Sequence, residues 1–589
     1  MRVRLDRRRV YQLAVREAGR ACRAMISRLF SYVTIKKIQP SRLLMAPQDL
    51  RTGDPTIAND IYSGFFVFSG RAVSTSGHSP FEYEPPTLAW GEALYGFGWL
   101  RHLRAAGTAL AQANARALVD DFLTQSYGSI PALAERTDIK ARRLIAFICQ
   151  SPLLLEGADR DFYQRFLKAI GRLVRDLEYD IRASGSPRHR LLAAIACCYA
   201  GLCSEGLESQ FQKVTRVLLK ELDEQILADG GHISRNPRLL VEFLFYLLPL
   251  RQMFTSRSLE PPPALNGAID RMIPMIRMLR HGDGNMARFN GIATTDADHL
   301  ATLLLYDEVR AKPIQHATHS GYERLEAADT LILADVGKAP PFEFSTNATA
   351  GTLSFELSHG RQMLVVNCGT PYYAKPEVEA AARTTAAHST ASVGNASTMV
   401  FLEPVGARLT RFLSQWLIGR LGRVVLSGPA TVQCERGQWN NGTMLAASHD
   451  GYRPGFGITH ERRWFLTDDG LRVNGEDNFQ GAIGSDVVTI RFHLAPSVKA
   501  ARTEQGTAIM LALSDGNLWQ FESTPPAQIE DSMFFASSFG ARKTSQLSIS
   551  FRLNEVATSR WRFTRVGSVG ATQADAREGD EAETRSNAD

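Results

Sequence analysis

The hydrophobic pattern changes its period once along the chain. From Leu88 to about Leu279 apolar residues recur at helical spacing, as in 208–228, where Phe211, Val214, Val217, Leu218, Leu222 and Ile226 share one stripe. Helices are predicted over 88–105, 109–126, 139–150, 160–182, 188–204, 208–228, 237–255 and 264–280, joined by short loops that imply stacked helical hairpins. Periodicity alone leaves a closed ring and an open solenoid as alternatives. After about residue 320 the period becomes 2. Leu353, Phe355 and Leu357 alternate with Ser354, Glu356 and Ser358, and His359-Gly360-Arg361 turns the chain into Gln362–Cys368, a predicted β-hairpin with one buried face. Further strands follow at Gly321–Leu325, Thr330–Asp335, Ile458–Leu466, Leu471–Asn474, Val487–Leu494, Ala508–Leu513, Leu518–Phe521 and Leu547–Leu553. Many short antiparallel strands without intervening helices predict a sandwich of stacked sheets.

Two stretches lie outside this scheme. Residues 7–30 read as an amphipathic helix carrying arginines, and 43–87, rich in Pro, Gly and Ser, as an irregular lead-in. The expected division is therefore 1–87 basic helix and lead-in, 88–320 helical domain, 321–570 β-sandwich and 571–589 a disordered acidic tail.

Charge sharpens this division. Residues 1–42 hold twelve Lys/Arg against Asp6 and Glu17, a net +10, and residues from Ala571 onward hold six acids against Arg577 and Arg585, a net −4. With +6 overall the body is neutral, since 6 − 10 + 4 = 0, so nucleic acid is not expected as a partner. The basic helix either packs on its own protein or makes a peripheral membrane contact. Seven scattered cysteines do not suggest a disulfide framework. No export core follows the basic start, which points to the cytoplasm, with a periplasmic or membrane-surface location as the alternative.

The loop Asp229-Gly230-Gly231-His232-Ile233-Ser234-Arg235-Asn236-Pro237 ends one helix on a left-handed glycine and caps the next with Asn236 before Pro237. It leaves His232, Ser234 and Arg235 as a polar cluster at a helix end. The His281–Gly291 loop lacks the lysine and setting of a phosphate loop and reads as a turn.

The motifs AWGEALYGFGWLRHL, ARRLIAF with SPLLLEGAD, DGGHISRNP, SFELSHGRQMLVVNCG, RTTAAHST, HDGY and HERRWFL, in this order over most of 88–555, resemble the heparinase II/III family of polysaccharide lyases. The resemblance implies an α+β multidomain fold, an N-terminal α/α toroid of helical hairpins followed by a C-terminal antiparallel β-sandwich, with an acidic polysaccharide or oligosaccharide between them. It implies β-elimination at a uronic acid, which needs a group to neutralise the carboxylate, a base for the C5 proton and an acid for the leaving oxygen. On this view His232 transfers the proton and Arg235 and Asn236 lie near the carboxylate. Many relatives carry a tyrosine where this chain has Leu239, so Tyr246 is the substitute, unless it is a core tyrosine. His189 stands nearest the family's Asn-His pair, and with Asn347 it is expected at the substrate. The chemistry itself requires no cofactor. The family's structural zinc position would be degenerate here: His388 is present, but Asn367 replaces an aspartate and Thr349 falls near the second histidine. Because of these departures, a noncatalytic polysaccharide-binding or envelope-associated protein stands as the alternative to a lyase. A glycoside hydrolase would need a carboxylate pair, for which Asp229, Asp283 and Glu242 are the candidates.

Overall fold

The computed structural model describes residues 7–34, 38–125, 130–295, 297–306, 312–371, 375–404, 408–439, 441–481, 484–506, 508–537 and 540–568. The expected acidic tail lies outside them.

The helical half is an α/α toroid of antiparallel hairpins, and its long members are Ala109–Thr124, Thr137–Cys149, Arg160–Ala183, Pro187–Cys203, Glu208–Gln225, Pro237–Ser256 and Pro263–Met278. Local chemistry sets their ends. The Asp159, Ser186 and Asn236 side chains accept from backbone N–H groups of the first turn, and Pro187 and Pro237 open their helices. The span expected as one helix over 88–105 is broken by Phe97, whose φ of 56° ends the helix Leu88–Gly96 before Leu100–Ala106. The lead-in is more ordered than its composition predicts. It contains the helix Pro55–Tyr62 and the hairpin Phe65–Phe68/Arg71–Ser74, because Phe66 and Phe68 bury against Trp90 and its neighbours.

The sandwich pairs a nine-stranded sheet with an eight-stranded one, largely antiparallel neighbours in sequence. The first is built around Tyr322–Ala327, Thr330–Asp335, Phe355–His359, Gln362–Val366, Val487–Leu494 and Arg542–Arg552. The second runs from Val432–Trp439 through Thr558–Ser568 to Lys499–Arg502. Trp464, Trp519, Trp561, Phe355 and Phe492 fill the space between them. The predicted hairpin forms, with Gly360 at φ 53° in its two-residue turn.

Its expected exposed face does not exist. Ser354, Glu356 and Ser358 are as buried as Phe355 and Leu357, because the outer face of this sheet lies against the toroid. Tyr322, Leu331 and Leu333 belong to the helical core, whereas Leu325, Ile332 and Ala334 belong to the sandwich core. The toroid-side loops dock on this face. Gly282 comes so close to Gly360 that a Cβ there would stand 1.9 Å from its carbonyl oxygen. The basic N-terminal helix Arg7–Thr34 lies on its own protein, with Val10 and Ala14 packed on Leu402, Leu417, Val424 and Leu426 beside the helix Arg408–Leu421. Among the described residues no helix is long and apolar enough to cross a membrane.

Candidate functional site

The loop 229–236 forms the joint between the two halves. The preceding helix ends at Gln225, and Gly230, at φ 84°, turns a short hairpin bridged at Ile226 and His232 instead of capping the helix directly. A side chain at Gly230 would collide with the Arg271 carbonyl. Asp229 reaches across to the sandwich half, accepting from the Ser320 N–H at 2.6 Å and its hydroxyl at 3.0 Å.

Arg235, itself at φ 61°, crosses in the same direction. It donates to the carbonyls of Ser320, Gly321 and Lys338 at 2.7–3.0 Å, pairs with Asp335 and lies over the Tyr322 ring. The Tyr322 hydroxyl donates to the Arg235 carbonyl, and Asn290 binds both Tyr322 and Asp335. Gly337 must be glycine for the guanidinium to fit, since a Cβ would lie 2.3 Å from it. A parallel contact sets Glu356 against His281 at 3.2 Å and Arg288 at 3.6 Å.

His232 lies inside this joint. Nδ1 is bonded to the Ser234 hydroxyl at 2.7 Å and Nε2 to Gln225 Oε1 at 3.2 Å, with Phe243 and Phe344 against the ring. Burial, with Arg188 behind it, pushes its pKa down to about 3. Asn236 accepts from Arg238 N–H as the helix cap. His232, Arg235 and Asn236 are only 2%, 6% and 1% exposed, so the expectation that they face a substrate does not match their positions. Their polar atoms are consumed in closing the joint, apart from Asn236 Nδ2.

A second polar group gathers on the toroid beside that joint. Arg238, Glu242 and Tyr246 follow one another at helical spacing on one face of Pro237–Ser256. Glu242 takes Arg142 on one oxygen and Arg188 on the other, both at 2.7 Å. Burial disfavours its charge, yet Arg188, Arg142 and Arg238 hold its pKa far below the usual carboxylate range. Arg136 binds Glu92 at 2.6 Å and Asp138 at 2.7 Å. His189, at the start of Pro187–Cys203, is half-buried, and desolvation, partly offset by Asp138, brings its pKa down to about 4. Arg51 lies over the rings of Tyr246 and Phe245, 4.4 and 4.7 Å from their centroids. Side-chain exposures of 37% for Arg136, 31% for Arg188 and 26% for Arg142 leave this face open to a ligand.

The structure thus brings His189 and Tyr246 to one arginine-lined face and places Asn347, exposed, on the sandwich side, where its carbonyl abuts Gly291. Tyr246 is 6% exposed and partly core, as its alternative reading held. Arg51, Arg136, Asp138 and Arg142 are missing from the sequence reading. The one signal for this face was the charged Arg238–Glu242 step inside an apolar helix. The hydrolase candidates do not form a pair: Asp229 is held by Ser320, Asp283 by Asn285, and Glu242 by two arginines.

At the degenerate zinc position, His388 Nδ1 is bonded to the Thr384 carbonyl at 2.8 Å and Nε2 to the Thr349 hydroxyl at 3.0 Å. Asn367 Oδ1 accepts from Ser389 N–H at 3.0 Å. One histidine with both nitrogens engaged, a neutral amide and a hydroxyl do not fit a zinc ion, which takes three or four thiolate, imidazole or carboxylate ligands. Among the described residues no group of three His, Cys, Asp or Glu side chains is placed to hold a metal ion.

Known proteins share this architecture. Residues 309–571 match the family model described as Heparinase II/III-like, C-terminal. Over 554 residues, 90% of this chain and 91% of the relative, the sequence is 29% identical to the FtsZ-localized protein C of Caulobacter vibrioides. The fold superposes on heparinase III with a TM-score of 0.68 at 12% identity, covering 96% of this chain and 92% of that one. It also superposes on heparan sulfate lyase HepC from Pedobacter heparinus, with a TM-score of 0.56 at 14% identity over 89% and 85%. Residues 309–571 thus match a Heparinase II/III-like C-terminal domain, and the whole chain shares the toroid-and-sandwich fold of heparinase III.

Proposed function

We propose that this chain is a noncatalytic member of the lyase fold, which binds an acidic glycan on the arginine-lined face and serves the cell-division apparatus, as the name of its FtsZ-localized relative suggests. The observation that carries this reading is the sealing of His232, Arg235 and Asn236 inside the interdomain joint. A lyase needs its base and its carboxylate-neutralising group at the substrate, and these three are engaged with the protein. The surplus of guanidinium groups around Glu242 and Asp138 supports recognition of carboxylates or sulfates. Incubating the full chain with heparan sulfate and other uronate polymers tests it. Retention on the polymer with no rise in ultraviolet-absorbing unsaturated ends is expected, and accumulation of such ends would overturn it. Co-sedimentation with polymerised FtsZ tests the division link.

A second reading, a uronate lyase, is favoured by one contact: Tyr246 lies beneath Arg51, on the face where neutral His189 and Arg142 also lie. There Tyr246 would serve as base and an arginine would neutralise the carboxylate. Unsaturated products that disappear in Tyr246→Phe but persist in His232→Ala would establish it.

A further inference from the structure

The arginines of the toroid face are not equally committed. Arg136 meets Glu92 at 2.6 Å and Asp138 at 2.7 Å, and Arg142 and Arg188 each meet Glu242 at 2.7 Å. Arg51 differs, because among the described residues no group accepts a hydrogen bond from its guanidinium. Its ion-pair partner, Asp49, stands off at 3.7 Å. That carboxylate is already engaged: one oxygen accepts from the Arg51 backbone N–H at 3.1 Å and the other from Arg101 Nε at 3.0 Å. Glu242, whose charge also acts on Arg51, has one oxygen on Arg142 and the other on Arg188.

Aromatic surface holds Arg51 in place. Its guanidinium carbon lies 4.4 Å from the centroid of Tyr246 and 4.7 Å from that of Phe245, and 15% of the side chain remains in solvent. A guanidinium stacked on rings leaves the N–H fork at the edge of its plane for a ligand. Its position is settled before the ligand arrives, so little side-chain entropy is lost on binding. The planar fork matches a carboxylate. The neighbours set the charge density that the face accepts. Asp49, Glu92, Asp138 and Glu242 all belong to it, and a densely sulfated chain would bring more negative charge against them. A chain with one carboxylate per sugar can place that group on Arg51 and donate its hydroxyls to the acids.

We propose that Arg51 is the specificity-determining residue of this face, forking a single sugar carboxylate of a sparsely charged glycan. The proposal rests on the glycan-binding reading and names its anchor. It is tested by titrating the full-length protein with polygalacturonate oligosaccharides, which carry carboxylates alone, and with dextran sulfate, which carries sulfates alone. The parent should bind polygalacturonate, and Arg51→Gln should weaken that binding about ten- to a hundredfold, from the loss of hydrogen bonds to a charged group. Arg51→Lys keeps a cation over the rings without the planar fork and should still bind about fivefold more weakly than the parent. Because it retains the stacking contact, it carries the test if the melting temperature shows Arg51→Gln to be unfolded. Arg560→Gln removes the same charge from a side chain 77% exposed on the strand Thr558–Ser568, and should change binding less than about twofold. Affinity for dextran sulfate should fall no further in Arg51→Gln than in Arg560→Gln.

Parent-like polygalacturonate binding in either folded Arg51 variant would overturn the proposal. So would a loss equalled by Arg560→Gln, or one seen with dextran sulfate and not with polygalacturonate. Failure of the parent to bind either polymer would remove the glycan reading and this assignment together, whereas binding by the parent and by Arg51→Gln alike would remove the assignment alone.

Discussion

The interdomain joint and the arginine-lined face are built from the same residue types, and they share a wall, since Arg188 and Glu242 act on His232. They differ in what surrounds the charges. In the joint, Arg235 and Asp335 are almost fully excluded from water and every donor of the guanidinium group that contacts protein meets a fixed carbonyl or carboxylate. On the face, Arg136, Arg142 and Arg188 keep 26–37% of their side chains in solvent while still paired. Burial with complete pairing makes a polar cluster structural, and partial exposure with an excess of one sign leaves it able to take a ligand.

Removing one side of the joint should give the largest effect. Arg235→Ala strands a buried Asp335 and should cost about 3–5 kcal/mol, read as a fall in the urea midpoint. A loss under about 1 kcal/mol would show that the joint is not what binds the halves.

Acid should attack the same region. His232 is held neutral, with a pKa of about 3 against roughly 6.5 in an unfolded chain. The unfolded state then binds the extra proton, so the stability tied to this group is complete above about pH 6.5 and drains away as pH falls toward 3. His493 has a pKa of about 3 as well, and His189 and His102 lie at about 4, so they steepen the same window. Chemical denaturation at pH 7 and pH 5 should show a loss at pH 5 that is smaller in His232→Gln; an identical loss would dissociate His232 from the acid response.

Neutralising Glu242 should sharpen the contrast from the other side. Glu242→Gln releases Arg142 and Arg188 from their shared carboxylate, and retention on immobilised heparin is expected to rise several-fold, while Arg188→Ala should lower it. Equal retention in all three proteins would remove the face as the binding site.

The smallest effect is expected from chelation. His388 and Asn367 are satisfied by Thr349, Thr384 and Ser389, so EDTA should leave the melting temperature within about 1 °C. A larger drop, with stoichiometric zinc in the purified protein, would overturn the hydrogen-bonded account of that position.

Much of the fold was legible because it is carried by local rules. The change from period 3.6 to period 2, the Asn236-Pro237 cap and the Gly360 turn each depend on a few neighbouring residues, and each appears where expected. The candidate site was less legible. A loop of His, Ser and Arg at a helix end reads the same whether it faces a cleft or a neighbouring sheet. Here Ser320 and Asp335, about 90 and 100 positions away, decide the matter. The face at Glu242 depends on Arg142, a hundred residues earlier, and the charged Arg238–Glu242 step within the helix does not disclose that partner.

The hairpin at 355–366 shows the division most plainly. Its sequence determined two strands, a turn and an alternation of apolar with polar side chains. Only the tertiary structure decided that both faces are buried, because alternation records which side chains differ, not what lies against them. Ser358 and Glu356 are polar because His281 and Arg288 arrive from the toroid to meet them, and that pairing exists only once the two halves have closed.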